Sequence, residues 1–247
     1  MRAGVSLFAM GCWLCTMVTG GAASGAAEDE AEVAELLIAL LKTGSSIVSQ
    51  YQPLINDSSK GTKGFTEEFV GRAITEKFKV ETSIDLSAPN GLPMGGLLST
   101  MLDSQRAVVF DAQPAIDKPG IGFKGFVSSV FARKAADKFS AKTGVIIKVT
   151  GVEARFPGNK PDDFETEVLR MFADPRHPKG HRYARVTTIN GKSVLRMMYP
   201  EYADTMRPLC DRDPRKEPTL MGRVGQTTAG GGLACAISVV MPMRAKP

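Results

Sequence analysis

Apolar residues recur at helical spacing from Val33 through Leu36, Leu37, Leu40, Leu41, Ile47 and Val48 to Tyr51, and Pro53 closes the run. A polar, glycine-bearing stretch at 57–64 follows. Thr66 with Glu67 and Glu68 then has the makings of a helix start, because a hydroxyl oxygen caps free amides and carboxylates suit the positive end of the helix dipole. Phe65, Phe69, Ile74 and Phe78 are its expected buried face. The same arrangement returns downstream. Residues 36–82 align without gaps on 97–143 with 15 identities in 47 positions, among them Phe65 with Phe126 and Phe78 with Phe139. The pattern predicts a duplicated helical hairpin, the second unit having helices over 94–112 and 126–142, with Pro89 to Pro93 as the border between units.

Beyond Gly144 the period changes. Residues 145–152 are rich in β-branched side chains and read as a strand. A short helix over 161–172 opens on proline and acids. Residues 182–189 and 192–199 flank Asn190-Gly191, a strong hairpin signal, and 233–241 reads as a closing strand. The predicted fold class is α+β: duplicated helical hairpins packed on an antiparallel sheet. The hairpins either cover the sheet as a four-helix layer or form a sensor stalk that slides against a partner.

Composition adds a leader. Arg2, the apolar run 5–18 and the small residues before Glu28 have the form of a signal peptide over 1–27, although a signal anchor is the competing reading. The expected protein is exported, periplasmic or secreted, with no transmembrane span after cleavage. Cys12 and Cys15 would leave with the leader, so Cys210 and Cys235 remain. An oxidising compartment invites a bridge between them, while Cys210 could equally be a small buried hydrophobe. The net charge of +5 is spread along the chain without a basic, aromatic-laced block, which argues against nucleic acid as a partner. No nucleophile elbow or zinc-protease motif occurs, so no catalytic residue and no metal site are expected and the chain does not read as an enzyme. His177 and His181 lie in a proline- and glycine-containing loop and are expected to be solvated.

Three segments carry a resemblance. Residues 155–165, with Arg155, Asn159, Pro161, Asp162, Phe164 and Glu165, resemble an R-N-P-x-N-x-P-D-x-F/W-E signature. Residues 200–214, with Tyr202, Cys210 and Pro214, are similar to a P-I-Y-V-x-x-x-C-L-x-C-H-G-D-P run, and 231–242 to a closing G-D-L-x-G-A-I-S-V-x-x-P strand. Together they resemble a family of PAS-like periplasmic domains of Tll type, first seen in a cyanobacterial c-type haem protein and often fused to histidine kinases or chemoreceptors.

The resemblance implies a PAS-like sheet and a haem pocket, with one departure. Without gaps, Arg207 stands at the first thioether cysteine, Cys210 at the second and Asp211 at the axial histidine. One thiol remains and the imidazole is gone. The expectation is an exported sensor-like or binding protein with a degenerate haem c site and no cofactor. Its signal would leave through a separate partner, a signalling or redox protein of the periplasm or membrane.

The alternative is a non-covalent haem protein of redox or gas-sensing function, with Cys210, His177 or His181 on the iron. Candidate ligand-binding residues are Arg155, Asn159, Asp162, Tyr202, Arg207, Cys210, Asp211 and Cys235. Arg155 either pairs a ligand carboxylate or joins Asp162 and Glu165 in ion pairs that hold the loop. Organisation is expected as 1–27 leader, 28–92 first hairpin, and 93–247 the second hairpin with the PAS-like part.

Overall fold

A computed structural model describes residues 21–88, 95–151, 156–202 and 232–244. In chain order they form α1 (Gly21–Gln50), α2 (Gln52–Ile55), α3 (Glu67–Thr82), α4 (Gly95–Ile116), α5 (Ser128–Thr143), β1 (Ile146–Thr150), a 3₁₀ turn at Pro157–Asn159, α6 (Asp163–Ala173), β2 (Tyr183–Ile189), β3 (Lys192–Tyr202) and β4 (Leu233–Pro242). This is the predicted α+β class.

Local chemistry sets most of the boundaries. Thr66 Oγ1 accepts from the Phe69 amide at 3.2 Å and opens α3. Asp162 and Glu165 form a reciprocal capping box at the start of α6. Asn190 and Gly191 take φ of 51° and 75°, the left-handed pair that a two-residue hairpin needs to match strand twist. Other boundaries differ from the expectation: α1 starts at Gly21, ahead of Val33, and β3 runs to Tyr202 rather than 199. α4 continues to Ile116 with Pro114 inside its last turn, where a proline costs a single intrahelical hydrogen bond.

The second helices of the two hairpins correspond, whereas α1 and α2 are broken at Tyr51 and α4 runs through the equivalent position to Ile116. α3 and α5 begin and end 61 positions apart, and Gly64 and Gly125, also 61 apart, share φ of 68°. Their loops interlock reciprocally: the Lys63 amide donates to Asp117 Oδ1 at 3.1 Å, and the Lys124 amide to Asn56 Oδ1 at 3.3 Å. Phe65 and Phe126 meet across this contact with ring centroids 6.5 Å apart.

The sheet runs β1-β4-β3-β2, antiparallel throughout. One face carries Leu195, Met197, Ile237, Val239 and Met241 into the cluster that fills the helical bundle. α1 and α5 make that contact. The opposite face sets Met198 and Ala236 against Phe164, Val168, Leu169 and Phe172 of α6. α1 is pinned along the sheet by ion pairs of Glu30 with Arg244 at 2.9 Å, Glu35 with Arg182 at 2.5 Å and Lys42 with Glu201 at 2.5 Å. Among the described residues, no helix is long and apolar enough to cross a membrane.

Candidate functional site

The far end of β3 is where polar chemistry collects. β2 stops pairing at Met198, so residues 199–202 of β3 bond only to β4 and are flanked by the loop 174–182. Side chains there alternate between the two faces. Glu201 turns toward the bundle and Tyr202 toward α6, with a register irregularity between them.

On the bundle side a cavity of about 590 Å³ opens between α1 and β3, within the size range of cofactor and small-molecule sites. Ile38, Ala39 and Tyr199 supply apolar wall, while Glu35, Lys42 and Glu81 supply charge. Lys42 also lies 5.1 Å over the Tyr199 ring. Its partner Glu201 is 1% exposed, and burial pushes that carboxyl above its ordinary range despite the Lys42 hydrogen bond, which pulls it down. Cys235 lies directly across from Glu201 in the ladder. It is buried and disulfide-bonded, its partner lying outside the described residues.

On the α6 side, Tyr202 is buried and its hydroxyl donates to the Phe172 carbonyl at 3.4 Å. Burial raises its phenol. His177 packs its ring 5.2 Å from that of Phe172, and its Nε2 is buried with no hydrogen-bond partner. Solvated loop histidines were expected. His181 is exposed, whereas His177 is half-buried: the Asp174 turn, closed by the His177 amide on the Asp174 carbonyl at 2.9 Å, folds its ring back onto α6.

Asn159 and Asp162 hold the segment that leads into α6. The Asn159 carbonyl accepts from Thr150 Oγ1 at 2.8 Å, tying the 3₁₀ turn to β1. Asp162 pairs with Arg196 at 2.7 Å, and Glu165 with Lys148 at 2.8 Å. Burial alone would raise the Asp162 carboxyl, but the Glu165 amide and the Arg196 guanidinium outweigh it and hold it below its usual range. Lys148, Asp162, Glu165 and Arg196 border a cavity of about 420 Å³ on the α6 side. The fold therefore brings Tyr202 and Cys235 to one end of the β3–β4 ladder, ties Asn159 to Thr150, which pairs with Ala236 beside Cys235, and places Asp162 farther along, against Arg196. Arg155, Arg207, Cys210 and Asp211 lie outside the described residues.

Sequence reasoning did not single out Lys42, Glu201 or Arg196. A lysine inside the apolar run of α1 was the available signal for Lys42. Nothing local marks Glu201, because its partner is 159 residues away.

A family model described as Tll0287-like matches residues 26–242. Among solved structures, the crystal structure of the cyanobacterial heme-protein Tll0287 is similar at 12% identity and a TM-score of 0.36, covering 62% of this chain and 97% of that one. No curated protein matches. The expectation of no cofactor is corrected by the family match: a family described as Tll0287-like points toward haem rather than toward no cofactor. Since the model match extends from the early part of α1 to the end of β4, the chain belongs to the Tll0287-like family.

Proposed function

We propose that this chain is an exported haem-binding protein of redox or gas-sensing function that holds haem without covalent attachment. The observation that carries the reading is membership, over residues 26–242, in a family named for a heme-protein. Arg207 and Asp211 stand where the attachment motif needs a thiol and an imidazole, so thioether bonding to two cysteines is not available. Retention then depends on packing and on a ligand from elsewhere.

The described residues fit such a group in one specific respect. Haem iron takes imidazole, thiolate, thioether or phenolate donors. Cys235 is committed to a disulfide, and Met197 and Met198 are packed in the two apolar clusters, whereas His177 has a buried ring nitrogen with nothing bonded to it. Bound haem would supply one-electron or diatomic-gas chemistry. The chain's own side chains would exclude water through Phe172 and Tyr202 and hold the iron.

The helical part is read as a duplicated hairpin, the first copy docked on the second through Phe65 and Phe126. Export rests on the leader-like residues 1–27, and no catalytic group is assigned. The test is to express the full chain with its leader, load it with hemin, wash extensively and record visible absorption. A Soret band that survives washing and a denaturing gel without haem stain are expected. Failure to retain any haem, or haem that stays with the denatured chain, would refute this reading.

A further inference from the structure

α6 covers only part of its face of the sheet. Phe164, Val168, Leu169 and Phe172 close over Met198 and Ala236. Farther along the same face, where Asp162 and Glu165 open α6, the strand register sets Arg196 of β3 beside Val240 of β4, and Val240 beside Ile146 of β1. The cavity of about 420 Å³ lies there, within the size range of small-molecule sites. Each strand gives it one aliphatic residue in sheet order: Ile146 from β1, Val240 from β4, Val194 from β3 and Ile189 from β2. Ile146 and Ile189 are 52% and 37% exposed, and a contiguous apolar band rimmed by polar groups is the mark of a binding groove.

The charges at this cavity do not cancel. Lys148, Lys192 and Arg196 stand against Asp162 and Glu165, an excess of one cation. The carboxylates are occupied: Asp162 accepts from the Glu165 amide and from Arg196 Nη2, and Glu165 accepts from the Asp162 amide and pairs with Lys148. The cations are less so. Arg196 is 8% exposed and, among the described residues, hydrogen-bonds through Nη2 alone, while its Nε is buried without a partner. Its guanidinium carbon lies 4.2 Å over the Phe164 ring, which fixes the plane of the group. An arginine held in this way keeps unsatisfied N–H donors for a further carboxylate. Lys192 is exposed and enters no ion pair of the described residues. A polyanion would suit the place poorly, since its remaining oxygens would face the aliphatic walls without hydrogen bonds.

We propose that this cavity is a binding site for a small aliphatic monocarboxylate, its carboxylate meeting Arg196 and Lys192 and its hydrocarbon lying on Ile146, Ile189, Val194 and Val240. The site goes beyond the haem-binding reading and does not depend on it, because none of these residues takes part in that reading.

The experiment is isothermal titration calorimetry of the purified full chain with sodium hexanoate, sodium butanoate, 1-hexanol and hexylamine. Saturable binding of hexanoate is expected, about fifteenfold tighter than butanoate, which is two methylenes shorter. Hexanol and hexylamine should bind about tenfold more weakly than hexanoate or worse, since neither offers an anion to the guanidinium. Lys192→Ala removes an exposed cation and should weaken hexanoate about fivefold. Ile146→Glu, at an exposed position, sets a like charge in the wall and should abolish binding, while Lys134→Ala, an exposed lysine of α5, should match the parent. Circular dichroism of each variant, expected to equal the parent's, separates loss of binding from loss of fold. No saturable binding of hexanoate, equal affinity for hexanoate and either hexanol or butanoate, or parental affinity in both Lys192→Ala and Ile146→Glu would each overturn the proposal.

Discussion

Gly44→Ala is expected to destabilise the helical bundle, although alanine is the better helix former by about 1 kcal/mol. Gly44 of α1 faces Gln105 of α4, and a β-carbon there would lie 1.6 Å from Gln105 Oε1, 2.8 Å from its Cδ and 3.0 Å from Phe131 Cε1. Gln105 is wholly buried, and its Nε2 donates to the Leu40 carbonyl at 3.2 Å. Making room means swinging the amide away and breaking that bond. Repacking costs about 1–3 kcal/mol and a stranded buried amide about 1–3 kcal/mol more. Against the propensity gain, the net loss centres on about 3 kcal/mol, or a fall in Tm of about 6–12 °C for a domain of this size. Urea unfolding followed by circular dichroism on Gly44→Ala, Gln105→Ala and the double variant isolates the clash as a coupling energy. With Gln105 already truncated, only the 3.0 Å approach to Phe131 opposes the propensity gain, so Gly44→Ala should fall to within about 1 kcal/mol of neutral. Equal stability of Gly44→Ala and the parent, with no coupling in the cycle, would show that the two side-chain positions do not meet.

Two further outcomes are expected. Phe65 is fully buried between Tyr51, Phe69 and Phe126, so Phe65→Ala should cost about 3–5 kcal/mol in urea unfolding, and an unchanged midpoint would make the first hairpin peripheral. Burial holds the Glu201 carboxyl above its ordinary value, so the folded state keeps that proton more tightly than the unfolded chain. Its contribution is full below the unfolded pKa of about 4.3 and falls as pH rises through the raised folded value. The parent should therefore lose stability relative to Glu201→Gln as pH climbs from about 4, and parallel curves across that range would contradict it.

The motif at 200–214, read as an attachment site with substituted ligands, lies mostly outside the described residues, and the expectation of no cofactor drawn from it is overturned by the family match. Covalent bonding and iron binding are separable: thiols tether the porphyrin, whereas any well-placed imidazole can hold the metal. The prolines and glycine around His177 predicted a loop correctly. Solvation followed for His181 and only in part for His177, because a loop closed by an Asp174 turn can still lay one ring against a helix.

What the sequence determined by itself is what local interactions decide. The Thr66 cap, the Asp162–Glu165 box and the Asn190-Gly191 turn each act within a few residues, so they fixed where elements begin and reverse. The 61-residue offset likewise carries the correspondence of α3 with α5 and of Gly64 with Gly125. Tertiary structure decided the rest. Residues 194–202 of β3 are almost continuously buried, so no alternation reveals which side chains face the bundle and which face α6. Only the stacking of helices on both faces gives Glu201 to Lys42 and Tyr202 to Phe172. Gly44 and Gln105, or His177 and the end of β3, become neighbours through packing of elements far apart in the chain, and the local free energies that shape each element carry no record of its partner.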